Sequence, residues 1–436
     1  MSDLTLEPVR QPFAARITPP GSKSLTNRAL VLGALAAGPC EVSNILVAND
    51  TAVMLESLRR LGFALDVDDA AGVLRIDGRA GTIPANQADL FCGNSGTTIR
   101  FLTALCALGR GRYTLDGVPR MRERPIGALT ALLERLGARV THEPGADGFP
   151  PVHIEASGLR GGTIAYGSEV SSQYLSAVLM VAPYATTGVR VELTGAQTSW
   201  PYVAMTLQLM ARFGVTPELT RSATGDPTRI VVAPGRYAAT RYAVEPDASN
   251  ASYFLAAAAV NPGAKITIEG LGATSVQGDV GFADVLRRMG ADVVIGTDFI
   301  TVTGPPAIAG IDVDLADMPD MAQTLAVVGA FAAGRSTLRG LHTLRVKETD
   351  RVAALSRELR KLGAAVDVEG DAVTITPPPA GRCAAATIDT YDDHRMAMSF
   401  AVAGTRVAGI TIRDIECVGK TYPRFFDDLE TVTTST

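Results

Sequence analysis

The sequence predicts a two-domain α/β protein assembled from six repeats of about 75 residues, three repeats to a domain. Two periodicities and the chain length carry this expectation. An apolar, alanine-rich helical segment that passes through a glycine into a short strand occurs six times. Its glycines are Gly38, Gly111, Gly188, Gly263, Gly334 and Gly409, and successive differences in residue number are 73, 77, 75, 71 and 75. Amphipathic helices running through a glycine into a strand keep the same beat at Gly62, Gly137, Gly214, Gly290 and Gly363. A glycine suits the left-handed residue that ends a helix. Finally, 436 residues exceed what one core usually supports.

Taken in order, the first 18 residues hold two candidate strands, which the sequence alone assigns to neither half. Pro19-Pro20-Gly21 is the first candidate crossing between domains. Repeat one follows as "GSKSLTNRALVLGAL" and "LESLRRLGFALDV". Repeat two is carried by "GNSGTTIRFLTALCALGRGRYTLDG" and "LLERLGARV", and repeat three by "SSQYLSAVLMVAPYATTGVRVELTG" and "LQLMARFGVTPEL". The second crossing falls near "RYAVEPDAS". Repeats four and five are "EPDASNASYFLAAAAVNPGAKITIEG" with "VLRRMGADVVI", and "MPDMAQTLAVVGAFAAGRSTLRG" with "ELRKLGAAVDVEG". Repeat six is "DDHRMAMSFAVAGTRVAGITIRD". Its amphipathic copy is expected to fall past the end of the chain, which closes with "FFDDLETV". Helices apolar on every side are expected to be buried. A linear solenoid is the competing arrangement for repeats of this size.

Composition narrows the function. The chain is 47% hydrophobic and 19% charged with 43 glycines, a globular profile. A net charge of −5 points away from nucleic acid. The opening "MSDLTLEPVR" lacks the basic and apolar regions of a signal peptide, and the longest apolar runs are too short to span a bilayer. Cys40, Cys92, Cys106, Cys383 and Cys417 are odd in number and lack metal-ligand spacing, so they read as reduced thiols of a cytoplasmic protein.

The start of each apolar helix carries more polar groups than a cap requires. Ser22, Lys23, Ser24, Thr26, Asn27 and Arg28 stand at the first. The spacing excludes a P-loop, since Ser22 separates Gly21 from Lys23 and Arg16 occupies the place of the first glycine. What remains is a helix start suited to anions through its free N–H groups and dipole. The bland alternative is a capped surface helix. "GNSGTTIR", "SSQY", "EPDASNAS", "MPDMAQ" and "DDHRMAM" occupy the same place in the other repeats. If the repeats pack pseudo-symmetrically, these starts face a common region and bind a multiply anionic ligand, with Lys23, Arg28, Arg100 and Arg395 adding charge. "GVPRMRERPIG" adds Arg120, Arg122 and Arg124, which suit phosphate or carboxylate recognition. "LRVKETDRVAAL" adds Lys347, Glu348 and Arg351, or is an exposed capping box around Thr349. "GKTYPRFF" adds Lys420.

In this order the motifs "GSKSLTNRALVLGAL", "GNSGTTIRFL", "GVPRMRERPIG", "VSSQYLSA", "SWPY", "EPDASNASYFLAAA", "MPDMAQTLA", "RVKETDR", "DTYDDHRMAMSFA" and "GKTYPRFF" resemble the EPSP synthase family of enolpyruvyl transferases over essentially the whole chain. The resemblance implies an inside-out α/β barrel fold in each of two domains, each holding three βαβαββ-type units with helices inside and sheets outside. It implies domains 1–20 with 245–436 and 21–244, an active site in the cleft between them, and closure around the substrates. The implied reaction passes the enolpyruvyl group of phosphoenolpyruvate to the 5-hydroxyl of shikimate 3-phosphate. It needs no metal or organic cofactor, no nucleic acid and no membrane, and a monomer is the family default. Two substrates with two phosphates and two carboxylates between them need dense cationic lining.

By the same resemblance, Lys23, Ser24 and Arg28 are contacts to shikimate 3-phosphate, as are Ser171, Ser172, Gln173, Ser199 and Tyr202, with Gln173 near both substrates. Gly96, Arg124, Arg351, Arg395 and Lys420 form the phosphoenolpyruvate shell, with Asn94 at its edge. Asp320 takes the proton from the attacking hydroxyl, Glu348 serves C3 of the enolpyruvyl group, and Lys347 sits beside both substrates. Lys23 and Lys420 complete the catalytic set, and His394 is an outlying candidate. Gly96 is implied to leave room for the inhibitor glyphosate.

Three departures stand out. Thr343 replaces the asparagine of better-known members, and Ser95, Thr98 and Phe101 depart from "GNAGTAMRP". Trp200 replaces a charged residue in some relatives of "SWPY". A sister family acts on UDP-N-acetylglucosamine and carries a cysteine on the loop that here reads "RMRERPIG". No cysteine lies between Cys106 and Cys383, which disfavours that alternative. A non-catalytic anion-binding protein would not require Asp320 and Glu348 beside the cations.

Overall fold

One helix in each repeat has no solvent face. Every residue of Gly96–Ala107, Ala248–Val260, Ala322–Ala330 and His394–Gly404 is buried. The alanine and leucine content lets such helices pack on all sides. In the other two inner helices the exceptions lie at the N-terminus: Lys23 and Ser24 in Lys23–Leu35, and Gln173 in Gln173–Val181. The computed structural model describes residues 2–167 and 171–435.

The second repeat shows the pattern. Strand Gln87–Phe91 enters helix Gly96–Ala107 and returns as Arg110–Asp116, parallel to the first strand. The amphipathic helix Gly127–Arg135 follows, and strands Arg139–His142 and Val152–Ser157 extend the sheet antiparallel. The order is therefore βαβαββ. Gly137 ends the amphipathic helix at φ 105°, and Gly62, Gly214, Gly290 and Gly363 are likewise at positive φ. Each sheet turns one face to the inner helices, as the alternating burial of Val73–Arg79 records. The approach is close. A Cβ on Gly33 of the first inner helix would stand 2.8 Å from Ile76 Cγ2 of that strand.

The described chain divides into two compact units, Gly21–Val244 and Met1–Pro20 with Glu245–Thr436. Within Gly21–Val244 the inner helices Lys23–Leu35, Gly96–Ala107 and Gln173–Val181 pack together, the second touching both others, under three four-stranded sheets. Within the other unit Ala248–Val260, Ala322–Ala330 and His394–Gly404 pack against one another in the same way. Its sheets have four, four and three strands. Each unit is thus an inside-out α/β barrel, helices within and sheets without, and a linear solenoid is excluded.

The crossings explain how a single chain closes both units. Arg241–Ala243 pairs parallel to Ala37–Ser43 and completes the first sheet of its unit. Ala14–Ile17 pairs parallel to Lys265–Glu269 and completes the first sheet of the other. Leu4–Leu6 pairs antiparallel to Ile410–Ile412. Both N-terminal strands therefore join the half that contains 245–436. The sixth repeat departs from expectation: its amphipathic helix is present as Phe425–Thr434, packed on Ala14–Ile17. What the repeat lacks is the closing hairpin, and Leu4–Leu6 takes a place in that sheet.

Candidate functional site

In the unit 21–244 the N-terminal ends of the inner helices gather four cations. Lys23 Nζ stands 3.3 Å from Oδ2 of Asp50, a carboxylate 5% exposed on the next helix. Arg124 donates through Nη1 to the backbone O and Oδ1 of Asn94 at 3.0 and 3.1 Å. Arg100 donates to Gln173 Oε1 at 2.6 Å and to Ser171 Oγ at 3.4 Å, and Gln173 Nε2 donates to Thr97 Oγ1 at 3.1 Å. These bonds tie the second and third inner helices together at their N-termini. Gly96 lies against both arginines, since a Cβ built on it would meet Arg124 Nη2 at 2.5 Å and Arg100 Nη1 at 3.3 Å.

Arg28 sits deeper. It donates to Thr206 Oγ1 at 2.7 Å, Ser24 O at 2.9 Å, Tyr202 O at 3.2 Å and Ser176 Oγ at 3.4 Å, and its guanidinium stacks over Phe101. Burial lowers its pKa to about 10. Phe101 therefore serves as a platform for Arg28. Ser199 precedes helix Trp200–Arg212 at φ 51°, in the left-handed region, and Ser172 precedes Gln173–Val181. Both serines are buried.

Of the three arginines in "GVPRMRERPIG", Arg124 turns into this cluster. Arg120 pairs with Glu123 at 2.7 Å, and Arg122 pairs with Asp116 on the exposed surface. Acids on the same loop and strand thus stand beside Arg120 and Arg122.

The unit holding 245–436 builds a second cluster around Arg351, whose side chain is 2% exposed. Its Nη1 reaches Asp320 Oδ1 at 3.1 Å, Nη2 reaches Glu348 Oε2 at 2.9 Å, and Nε reaches Asp393 Oδ2 at 2.8 Å. Burial works to lower the Arg351 pKa, and Asp393, Glu348 and Asp320 outweigh it and raise it. Arg395 Nη2 binds the other oxygen of Asp320 at 2.8 Å, and Lys347 Nζ stands 4.0 Å from Asp320 Oδ1. Lys420 Nζ stands 4.0 Å from Glu348 Oε1. His394 is buried, its Nδ1 3.7 Å from Asp393 Oδ1. Asp350, not Thr349, caps helix Arg351–Lys361 by accepting from Ala353 N at 3.0 Å. Thr343 is buried nearby in sequence, and its Oγ1 has no hydrogen-bond partner among the described residues.

Asp279 belongs to this cluster although its sequence context gave no sign of it. It accepts from Ser249 Oγ in the first turn of Ala248–Val260. Burial, then the charge of Asp320, pushes it up to about 6 against the pull of Ser249 and Arg395. Asp50 is hidden for the same reason: it stands alone in "NDTAVM", and only the fold brings it to Lys23. Arg100 was legible as charge at a helix start but not as the partner of Gln173.

The chemistry available is specific. Two carboxylates held by one guanidinium suit proton removal and proton delivery. Cations at helix starts suit phosphate and carboxylate groups and the charge that develops on them. Fold and site together define a transferase for small polyanionic substrates.

The model of the EPSP synthase (3-phosphoshikimate 1-carboxyvinyltransferase) family matches residues 9–429. A 3-phosphoshikimate 1-carboxyvinyltransferase of Nostoc punctiforme is 45% identical over 434 residues, covering 99% of this chain and 100% of the relative. One of Shewanella pealeana is 44% identical over 435 residues, with 99% and 100% covered. The solved EPSP synthase of Acinetobacter baumannii superposes with a TM-score of 0.81 at 26% identity, covering 99% of this chain and 98% of that one. The chain belongs to the EPSP synthase family.

Proposed function

We propose that this chain transfers the enolpyruvyl group of phosphoenolpyruvate to the 5-hydroxyl of shikimate 3-phosphate with the two clusters described above. Asp320 accepts the proton of the 5-hydroxyl as its oxygen attacks C2 of phosphoenolpyruvate, while an acid at Glu348 or Lys23 delivers a proton to C3. The tetrahedral adduct then loses inorganic phosphate, and C3 gives a proton back, which leaves the enol ether. Arg124, Arg351, Arg395 and Lys420 hold phosphoenolpyruvate with Asn94 and Gly96, and Lys23, Ser24, Arg28, Ser171, Ser172, Gln173, Ser199, Tyr202 and Lys347 hold shikimate 3-phosphate. The observation that supports this most is the gripping of Asp320 by Arg351 and Arg395, with Glu348 on the same Arg351. Two carboxylates standing among cations fit the roles of base and acid.

The five cysteines are free thiols, three of them buried, which supports a protein of the reducing cytoplasm. We read it as a monomer, which light scattering on the purified protein checks. Among the described residues no helix is long and apolar enough to cross a membrane.

The test is phosphate release from phosphoenolpyruvate. Release that requires shikimate 3-phosphate, with one enol ether formed per phosphate, is expected. Release driven by UDP-N-acetylglucosamine, or none with shikimate 3-phosphate, contradicts the proposal.

A further inference from the structure

Six non-glycine residues of the described chain have positive φ, and only Tyr391 (57°) and Asp392 (53°) are consecutive. They form the centre of a turn closed by Asp393 N donating to Thr390 O at 3.0 Å. Two central residues at positive φ mark a type I′ turn, which glycine, asparagine and aspartate favour. A tyrosine there carries a Cβ penalty. The next three residues are Asp393, His394 and Arg395, where the last inner helix begins.

Glu358 holds this turn. Its carboxylate is fully buried (0% exposed) on helix Arg351–Lys361. Oε1 accepts from the Tyr391 hydroxyl at 2.7 Å, and Oε2 accepts from Asp389 N at 3.0 Å. Lys361 Nζ lies 2.7 Å from Oε2 and 2.7 Å from Asp389 Oδ2. A buried carboxylate persists when each oxygen is satisfied, as here. At the other end of the same helix Arg351 binds Asp393, whose Oδ1 accepts from Arg395 N at 2.9 Å. One helix therefore grips the segment before the turn and after it.

We propose that Glu358 is a positioning residue for phosphoenolpyruvate binding: through Tyr391 it fixes the strained turn 390–393 and thereby sets Asp393 and Arg395. It acts through the turn and not by touching substrate. The proposal rests on the reading of Arg395 as a phosphoenolpyruvate ligand.

Tyr391→Phe removes one hydroxyl and keeps the ring. Its KM for phosphoenolpyruvate is expected to rise about tenfold, the loss typical of one hydrogen bond to a charged group. KM for shikimate 3-phosphate is expected to stay within about twofold, which a loosened fold would not spare. Glu358→Gln alone is expected to give the same selective rise, and adding it to Tyr391→Phe to raise KM little further, because the two side chains act as one unit. Arg395→Lys is the reference. If it raises KM for phosphoenolpyruvate while Tyr391→Phe lowers only the melting temperature, Glu358 is merely structural and the proposal is overturned. A rise of both KM values by one factor in Tyr391→Phe overturns it too. If Arg395→Lys leaves KM for phosphoenolpyruvate unchanged, the reading of Arg395 fails, and the positioning role falls with it.

Discussion

Asp320 and Arg351 meet at 3.1 Å between Oδ1 and Nη1, and the same guanidinium holds Glu348 and Asp393 through its other nitrogens. Three carboxylates on one buried cation need the planar fork of arginine, which a lysine ammonium does not reproduce. Arg351→Lys should lose about 2–4 kcal/mol of stability and on the order of a hundredfold in turnover. Thermal melts and steady-state rates check both. Retention of both within about twofold and about 0.5 kcal/mol would show that the cluster does not depend on that geometry.

Lys23→Met should nearly abolish turnover and leave the fold intact. A charged contact to an anionic substrate is worth about 1.5–3 kcal/mol, hence a loss of at least about tenfold to a hundredfold. Asp50, 3.3 Å away, loses its lysine in this variant. Adding Asp50→Asn should therefore recover stability without recovering rate. Recovery of the rate would mean that Lys23 serves only to neutralise Asp50.

Gly96→Ala bears on glyphosate. The new methyl meets the far end of Arg124, 2.5 Å from Nη2, so the guanidinium has to shift. The family resemblance implies a methyl that intrudes mainly on the longer inhibitor, but the structure puts a proposed phosphoenolpyruvate ligand in its path. KM for phosphoenolpyruvate should rise several-fold, about 1 kcal/mol, and the inhibition constant for glyphosate should rise more. Equal factors for both would leave no steric role for Gly96 beyond moving Arg124.

Asp279 predicts a pH dependence. Its folded pKa of about 6 lies above the usual aspartate value of about 3.9. Between these the unfolded chain has released a proton that the folded chain retains, so rising pH costs stability. The penalty is absent at the acid end and complete above about pH 6. Asp279→Asn never carries the charge, and its amide oxygen still accepts from Ser249. The variant should gain about 1–3 kcal/mol over wild type at pH 7.5, shrinking towards pH 4. Denaturant unfolding across that range measures it, and a difference independent of pH refutes the assignment.

The repeats were legible because burial writes itself into sequence twice. A helix enclosed on all sides must be apolar beyond its polar start, as Phe254–Val260 is, and a helix that stops into a strand needs the positive φ of Gly62 or Gly363. The helix starts were legible as excess polarity at Lys23, Gly96 and Gln173. Pairings within a repeat, between the start of an inner helix and the segment that follows the next strand, were not. Nothing in "NDTAVM" or "GDVGF" says that Asp50 meets Lys23 or that Asp279 meets Ser249, since these contacts arise only when the repeat folds back on its inner helix. A run of arginines likewise shows charge but not the acids, Glu123 and Asp116, that pair with Arg120 and Arg122. The closing of the sixth repeat by Leu4–Leu6 was hidden for a similar reason, as its partner strand lies at the far end of the chain.

Transfer by this chain depends most directly on Asp320 as the proposed base. Asp320→Asn keeps the size of the side chain and an oxygen for one of Arg351 and Arg395, which bind separate oxygens of Asp320, but it turns an amide NH2 to the other and loses the capacity to take the hydroxyl proton. Single-turnover phosphate release with both substrates saturating should fall by about 10²–10⁴-fold, with shikimate 3-phosphate still bound. A variant that releases phosphate within about twofold of the wild-type rate would contradict the account, because that is less than about 0.5 kcal/mol of barrier.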